Sequence, residues 1–111
     1  MRAARLRRSS EIATVRSTGR SLRRTAFGAR VLATVHPGPR VAVTAARSMG
    51  QAVERNRARR RVREAFRLAI ASAPASAGVD VVVSVRPASA NADFQGLVAD
   101  AAAVLREGAG R

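Results

Sequence analysis

The stretch Arg47-Ser-Met-Gly-Gln-Ala-Val-Glu-Arg-Asn-Arg-Ala-Arg-Arg-Arg-Val-Arg-Glu-Ala-Phe-Arg67 reads as a helix with one apolar and one cationic face. At about 100° per residue, Ala58, Val62, Ala65, Phe66 and Ala69 fall on one stripe, with Ile70 at its edge. Asn56, Arg57, Arg60, Glu64 and Arg67 lie opposite. Ser48 followed by Gln51 fits a capping box, in which the Ser oxygen accepts the Gln51 N–H and the Gln side chain reaches back. Arg55 falls over the apolar stripe near the amino end, where its stem covers the core edge and its head projects outward. Glu64 stands four residues after Arg60 and three before Arg67, and each such pair adds about 0.2–0.5 kcal/mol.

An apolar helix face needs a partner, and the flanking segments alternate as strands. Thr25 to Val35 puts Phe27, Ala29, Val31, Ala33 and Val35 on one side and Gly28, Arg30, Leu32 and Thr34 on the other. After the turn His36-Pro-Gly-Pro39, the segment Arg40 to Ala46 points Val41, Val43 and Ala45 one way and Ala42, Thr44 and Ala46 the other. Beyond a break at Ala73-Pro74 and the linker 75–78, Val79 to Arg86 places Val79, Val81, Val83 and Val85 inward. Asp80, Val82, Ser84 and Arg86 then face outward. The outer sheet face is small and partly cationic. Such a face suits either an extended single strand or plain solvent exposure.

The outer elements follow the same logic. Residues 1–8 form an Arg-rich arm, mobile by default, and Ser9 or Ser10 caps a short helix to Thr18 with Ile12 and Val15 on its buried side and Gly19 as its C′ residue. Residues 20–24 read as a basic loop. Asn91 or Asp93 caps a last helix whose apolar side is Phe94, Leu97, Val98, Ala101, Val104 and Leu105, and the tail begins at Gly108. Residues 9–107 are thus one domain by length and pattern.

Charge decides the class of partner. Seven of the thirteen residues from Arg55 to Arg67 are Arg, a density that self-repels unless a polyanion lies opposite. Residues 1–67 carry a net +15 (18 Arg against Glu11, Glu54 and Glu64), whereas residues 68–111 carry −1 (three Arg against four acids), so the binding surface belongs to the first two thirds. Every cation is Arg, a planar fork suited to phosphate. A solvated helix face would mix its charges; only Glu54 and Glu64 oppose the eight Arg between Arg47 and Arg67.

Several classes are excluded. The chain has no Cys, hence no disulfide framework or thiol nucleophile, and a reducing cytoplasm is the expected setting. The cationic amino end lacks a following apolar stretch, against a secretory signal, and no segment approaches the ~20 apolar residues of a membrane span. His36, the single His, sits in a turn with no acid near it in sequence and receives no catalytic or metal role. No nucleophile–base pair, carboxylate dyad, metal cluster or phosphate-cradling Gly loop can be assembled. No catalytic residue and no metal ligand is assigned to the protein.

The run Arg55-Asn-Arg-Ala-Arg-Arg-Arg-Val-Arg-Glu-Ala-Phe-Arg67 resembles the signature of the bacterial ribonuclease P protein component. The preceding Arg40–Val53 and the later Val79–Ala88 are similar to the strands that flank it in that family, so the likeness covers about residues 6 to 107. The resemblance implies an α+β fold, a two-layer sandwich of order αβββαβα, with a mixed four-stranded sheet and a left-handed strand–Arg-helix–strand crossover. It implies the protein subunit of an endoribonuclease whose catalytic centre is RNA acting with Mg²⁺, the protein itself binding no cofactor. Its partners would be the catalytic RNA and precursor tRNA, with no membrane or DNA. By position, Arg47, Arg55, Asn56, Arg57, Arg59, Arg60, Arg63 and Arg67 would face the catalytic RNA. Ile12, Arg16, Arg30, Thr44, Ser84 and Arg86 would line the groove for the 5′ leader.

Where family members carry aromatic residues on the first helix and first strand, this chain has Ile12, Arg16 and Arg30, and where two Lys are frequent it has Arg47 and Ser48. Leader affinity is then either weaker or carried by guanidinium stacking. The reading from another class is a nonspecific basic RNA-binding or ribosome-associated protein. A ribonucleoprotein-sheet module is disfavoured by the missing aromatic strand motif.

Overall fold

A computed structural model describes residues 4–35, 37–45, 50–72 and 78–109. The elements are β1 (Ala4–Arg5), α1 (Ser9–Thr18), β2 (Arg20–Arg23), β3 (Phe27–Thr34), β4 (Pro39–Thr44), α2 (Ala52–Ser72), β5 (Gly78–Val85), a 3₁₀ turn (Pro87–Ala90) and α3 (Phe94–Ala109). The fold is α+β, and from α1 onward the order is αβββαβα. The mixed sheet runs β4-β5-β3-β2, and the two-residue β1 adds a short parallel strand beside β4. β4 and β5 pair in parallel and are joined through α2, while β3 is antiparallel to both β5 and β2.

Alternation sorts the sheet into two faces. Phe27, Ala29, Val31, Val79, Val81, Val83 and Val85 meet α2 and α3 in one core with Ala58, Val62, Ala65, Phe66, Leu97, Ala101 and Val104. The predicted stripe of α2 is the buried one: Ala58, Val62, Ala65, Phe66 and Ala69. Phe66 and Phe27 pack with ring centroids 5.6 Å apart. The opposite face holds a smaller cluster of Leu6, Val15 and Val82, with Ile12, Leu32 and Ala42 at its edge, under α1.

Several local expectations change. The segment read as a basic loop is strand β2; its only apolar residue, Leu22, gives little alternation, and pairing with β3 supplies the order. Ala4–Arg5, expected in a mobile arm, pair with Arg40 and Val41, and Leu6 is buried. Gly108, expected in a tail, is buried within α3, where an added Cβ would lie 2.9 Å from Val79 Cγ2 and 3.0 Å from Val31 Cβ. Gly19 is extended at φ −74°, not left-handed. Space requires it, since a Cβ would stand 2.5 Å from the Val15 carbonyl oxygen and 2.8 Å from that of Val31.

Helix starts also differ. No Ser side chain caps α1: it opens at Ser9, after Arg8. Ser48 lies outside the described residues, but Gly50 at φ +122° is not helical, so α2 begins at Ala52 and the Gln51 carbonyl accepts the Arg55 N–H at 3.0 Å. Asp93 caps α3 by accepting the Gly96 N–H at 3.0 Å. Gly38, in the predicted turn, adopts φ +85°, whereas His36 lies outside the described residues.

Candidate nucleic-acid interface

Because the apolar stripe of α2 is fixed against the sheet, its Arg side chains divide by the direction each leaves the helix. Arg61 is half-buried and donates to the carbonyls of Ser89 (3.1 Å) and Ala92 (2.9 and 2.6 Å), with its guanidinium 5.9 Å from the centre of the Phe94 ring. It ties the 3₁₀ turn and the start of α3 to α2. Arg57 is exposed but donates to the Ala90 carbonyl at 3.1 Å, and Arg55 to that of Gly50 at 2.7 Å. Arg59 donates to Asn56 Oδ1, and Arg67 pairs with Glu64, Nε to Oε1 at 2.9 Å. Glu64 holds Arg67 and not Arg60. Among the described residues Arg60 and Arg63 have no carboxylate or carbonyl partner. Arg47 lies outside the described residues.

Arg63 stands in a field of like charge. Its pKa is held below the usual guanidinium value by desolvation first, then by the nearby charges of Arg5 and Arg59. Arg5 reaches this group because β1 runs parallel to β4 with Arg5 opposite Val41, a residue of the face that α2 covers. In sequence it is only one of several arm arginines; the strand pairing selects it.

The second cationic region lies on the other sheet face. Ile12, Arg16 and Thr44 line an open depression of about 560 Å³ together with Ser9, Ala13 and Ser17. Arg30, Ser84 and Arg86 line a second, of about 200 Å³, which also includes Ser21, Arg23 and Gly28. Strand register joins them: Arg23 stands opposite Gly28, Gly28 opposite Ser84, and Ser84 opposite Thr44. This row crosses β2, β3, β5 and β4 over about 14 Å, three strand spacings. Of the six residues assigned to a groove, three line each depression, and the pairing of Thr44 with Ser84 sets the two side by side.

Two arginines fasten α1 beside that track. Arg30 donates from Nε to the Arg16 carbonyl at 3.1 Å, giving the C-terminal end of α1 a cation where its dipole favours one. Arg40 forms a bidentate pair with Asp80, Nε to Oδ1 at 2.9 Å and Nη2 to Oδ2 at 2.8 Å, and reaches Glu11 Oε2 at 3.3 Å. The hydrogen bond to Asp80 leads in raising the Arg40 pKa; the charges of Asp80 and Glu11 add to it, against a lowering by burial. Asp80, expected outward toward solvent, is 3% exposed. Alternation gave its face correctly but could not reveal that α1 and Arg40 cover it.

Six of the seven acidic side chains are engaged by an arginine or serve as a helix cap. Glu11 and Asp80 serve Arg40, Glu64 serves Arg67, and Glu107 and Asp100 approach Arg24 at 2.6 and 3.9 Å. Asp93 caps α3, and Glu54 lies in the first turn of α2. No helix among the described residues is long and apolar enough to cross a membrane.

A small α+β fold carrying one Arg-rich helix and, on the opposite sheet face, a partly cationic open track defines a nucleic-acid-binding module. The family model described as Ribonuclease P matches residues 1–108. The chain is 43% identical to the ribonuclease P protein component of Chloroflexus aggregans, over 96% of this chain and 78% of that one. It is 36% identical to that of Gluconacetobacter diazotrophicus, over 96% and 91%. The RNase P protein from Thermotoga maritima superposes with TM-score 0.76 at 27% identity, over 93% of this chain and 96% of that one. The Staphylococcus aureus RNase P protein gives 0.74 at 20% identity, over 95% and 94%. The chain belongs to the ribonuclease P protein family. It is an RNA-binding subunit of ribonuclease P with a role in tRNA processing, and the RNase P RNA is its partner.

Proposed function

We propose that this subunit works in the cytoplasm by holding the 5′ leader of precursor tRNA in the cross-strand track while the free face of α2 lies against the catalytic RNA, which cleaves the phosphodiester bond. The observation that carries the proposal is the position of the two surfaces on opposite faces of one sheet: α2 packs on the Val79–Val81–Val83 side, and Thr44, Ser84, Gly28 and Arg23 line the other. One chain has room for a folded RNA and a single strand at the same time. Arg60 and Arg63, with Arg5 and Arg59 beside Arg63, supply counter-charge to phosphates that the RNA fold brings together. Arg55, Asn56, Arg57 and Arg67 extend that surface along the helix, each with an internal contact that sets its direction.

The described residues contain no group of three or more acidic or histidine side chains able to hold a metal ion. In this reading Mg²⁺ acts with the catalytic RNA, and the part of the protein is to bind and orient.

Reconstitution with the catalytic RNA at low Mg²⁺ tests the reading. The protein is expected to raise affinity for precursor tRNA well above its effect on mature tRNA. An equal gain for both would mark a generic cationic RNA binder and overturn it.

A further inference from the structure

We infer that the cross-strand track recognises the leader by its phosphodiester backbone and is blind to its bases, with Arg23 and Arg86 as the clamp at the β2 end; this rests on the leader reading above. The aromatic inventory is the first ground. The chain has three Phe and no Tyr or Trp. Phe27 and Phe66 are fully buried against one another, and Phe94 packs beside Arg61 on the α2 and α3 side. None of the three Phe is left to stack a base on the track, so their stacking energy of about 1–3 kcal/mol per base is missing.

The hydrogen-bonding inventory is the second. Adenine and cytosine edges are read by side chains that accept as well as donate, chiefly amides and carboxylates, and guanine by a bidentate guanidinium. The amide side chains Gln51, Asn56, Asn91 and Gln95 all lie outside the track. The two carboxylates on this sheet face, Glu11 and Asp80, are both engaged by Arg40. What remains is guanidinium and hydroxyl. The Thr44 hydroxyl donates to the Val83 carbonyl at 3.1 Å, and Arg30 is committed to the Arg16 carbonyl. Arg23 and Arg86 are exposed and have no carboxylate or carbonyl partner among the described residues. A lining that mainly donates matches a ligand that only accepts, which is phosphate.

The shape agrees with the charge. Gly28, between Arg23 and Ser84, has an open floor, since a Cβ there would meet nothing within 4 Å. A backbone can cross at this point without a side chain to select what it carries.

The test uses holoenzyme reconstituted with the catalytic RNA and precursor tRNAs whose leaders are homouridine, homoadenosine or abasic, in several lengths. Affinity is expected to rise with leader length equally for all three, within about threefold, and to be lost when the leader linkages are neutral methylphosphonates. Arg23→Ala with Arg86→Ala is expected to lower leader-dependent affinity about tenfold and leave binding of leaderless tRNA unchanged. It should also flatten the salt dependence by about 1.4 in slope, two single-strand phosphate contacts. Arg23→Lys with Arg86→Lys should restore most of the affinity, which a folding defect would not allow. A tenfold preference between bases, or loss of binding with the abasic leader, overturns the inference while leaving the leader reading intact. So does a leader-length gain that neither the neutral linkages nor the double variant diminishes. Wild-type holoenzyme with no leader-length gain would instead overturn the leader reading itself.

Discussion

The two faces of the sheet are held by different forces. Beneath α2 and α3 the contact is apolar and continuous, from Phe27 and Phe66 to Leu97 and Val104. Beneath α1 it shrinks to Leu6, Val15 and Val82, and two arginines complete the attachment: Arg40 through Glu11 and Asp80, Arg30 through the Arg16 carbonyl. Burial of hydrocarbon is non-directional and leaves the polar side of a helix free. Ion pairs and charge-assisted hydrogen bonds fix direction but occupy the groups that make them. The Arg-rich helix α2 therefore stands on hydrocarbon and leaves Arg60 and Arg63 without a carboxylate or carbonyl partner among the described residues. The helix beside the track is latched by charge, and its surroundings stay small and open.

The contrast breaks first at the apolar face. Phe66→Ala should cost about 3–5 kcal/mol in denaturant unfolding, the largest loss expected, because a fully buried ring leaves a cavity at the centre of the core. Arg40→Met comes next. It strands Asp80, whose side chain is 5% exposed, and a destabilisation of about 3 kcal/mol is expected, while Arg40→Leu combined with Asp80→Val should be milder than Arg40→Met alone. A double variant worse than the single one would mean that Arg40 acts through more than its charge.

Adjacent arginines give a sharper test. Arg61→Ala should cost about 1.5–3 kcal/mol of stability by removing its charged donors from the Ser89 and Ala92 carbonyls, with little change in the salt dependence of RNA affinity. Arg60→Ala should do the reverse, leaving unfolding unchanged and flattening the salt dependence by about one phosphate contact. Arg63→Ala should raise the apo melting temperature slightly, since it relieves repulsion with Arg5 and Arg59, yet weaken RNA binding.

The smallest effect belongs to Glu64. Its hydrogen bond to Arg67 holds its pKa below the usual carboxylate range. A group whose folded pKa is depressed contributes stability above its unfolded pKa of about 4.3, lost as pH falls through the folded value. Glu64→Gln should therefore differ from the parent only slightly in unfolding at neutral pH, and that difference should vanish on the acid side.

Legibility followed the range of the interactions. The buried stripe of α2, the inward Val residues of β5 and an α3 cap at Asn91 or Asp93, of which the structure uses Asp93, were readable because each depends on neighbours a few residues away. β2 and β1 were not, since Arg20–Arg23 and Ala4–Arg5 carry almost no apolar alternation and take their structure from strands they pair with. Gly19 read as a helix C′ residue and Gly108 as the start of a tail, yet both lie tightly against Val31, a contact no local pattern contains.

The amino-acid sequence by itself determined that a cationic helix rides on a small α+β sheet and that its partner is polyanionic, because periodicity and net charge are sums over local residues. Only the tertiary structure decided which arginines are available. Arg61 and Arg40 look like Arg60 and Arg23 in the chain, but long-range pairing gives the first two carbonyl or carboxylate partners 28 to 40 residues away and leaves the other two facing outward. The same pairing joins Arg23, Gly28, Ser84 and Thr44 into one track, a row made by strand register and absent from any contiguous stretch.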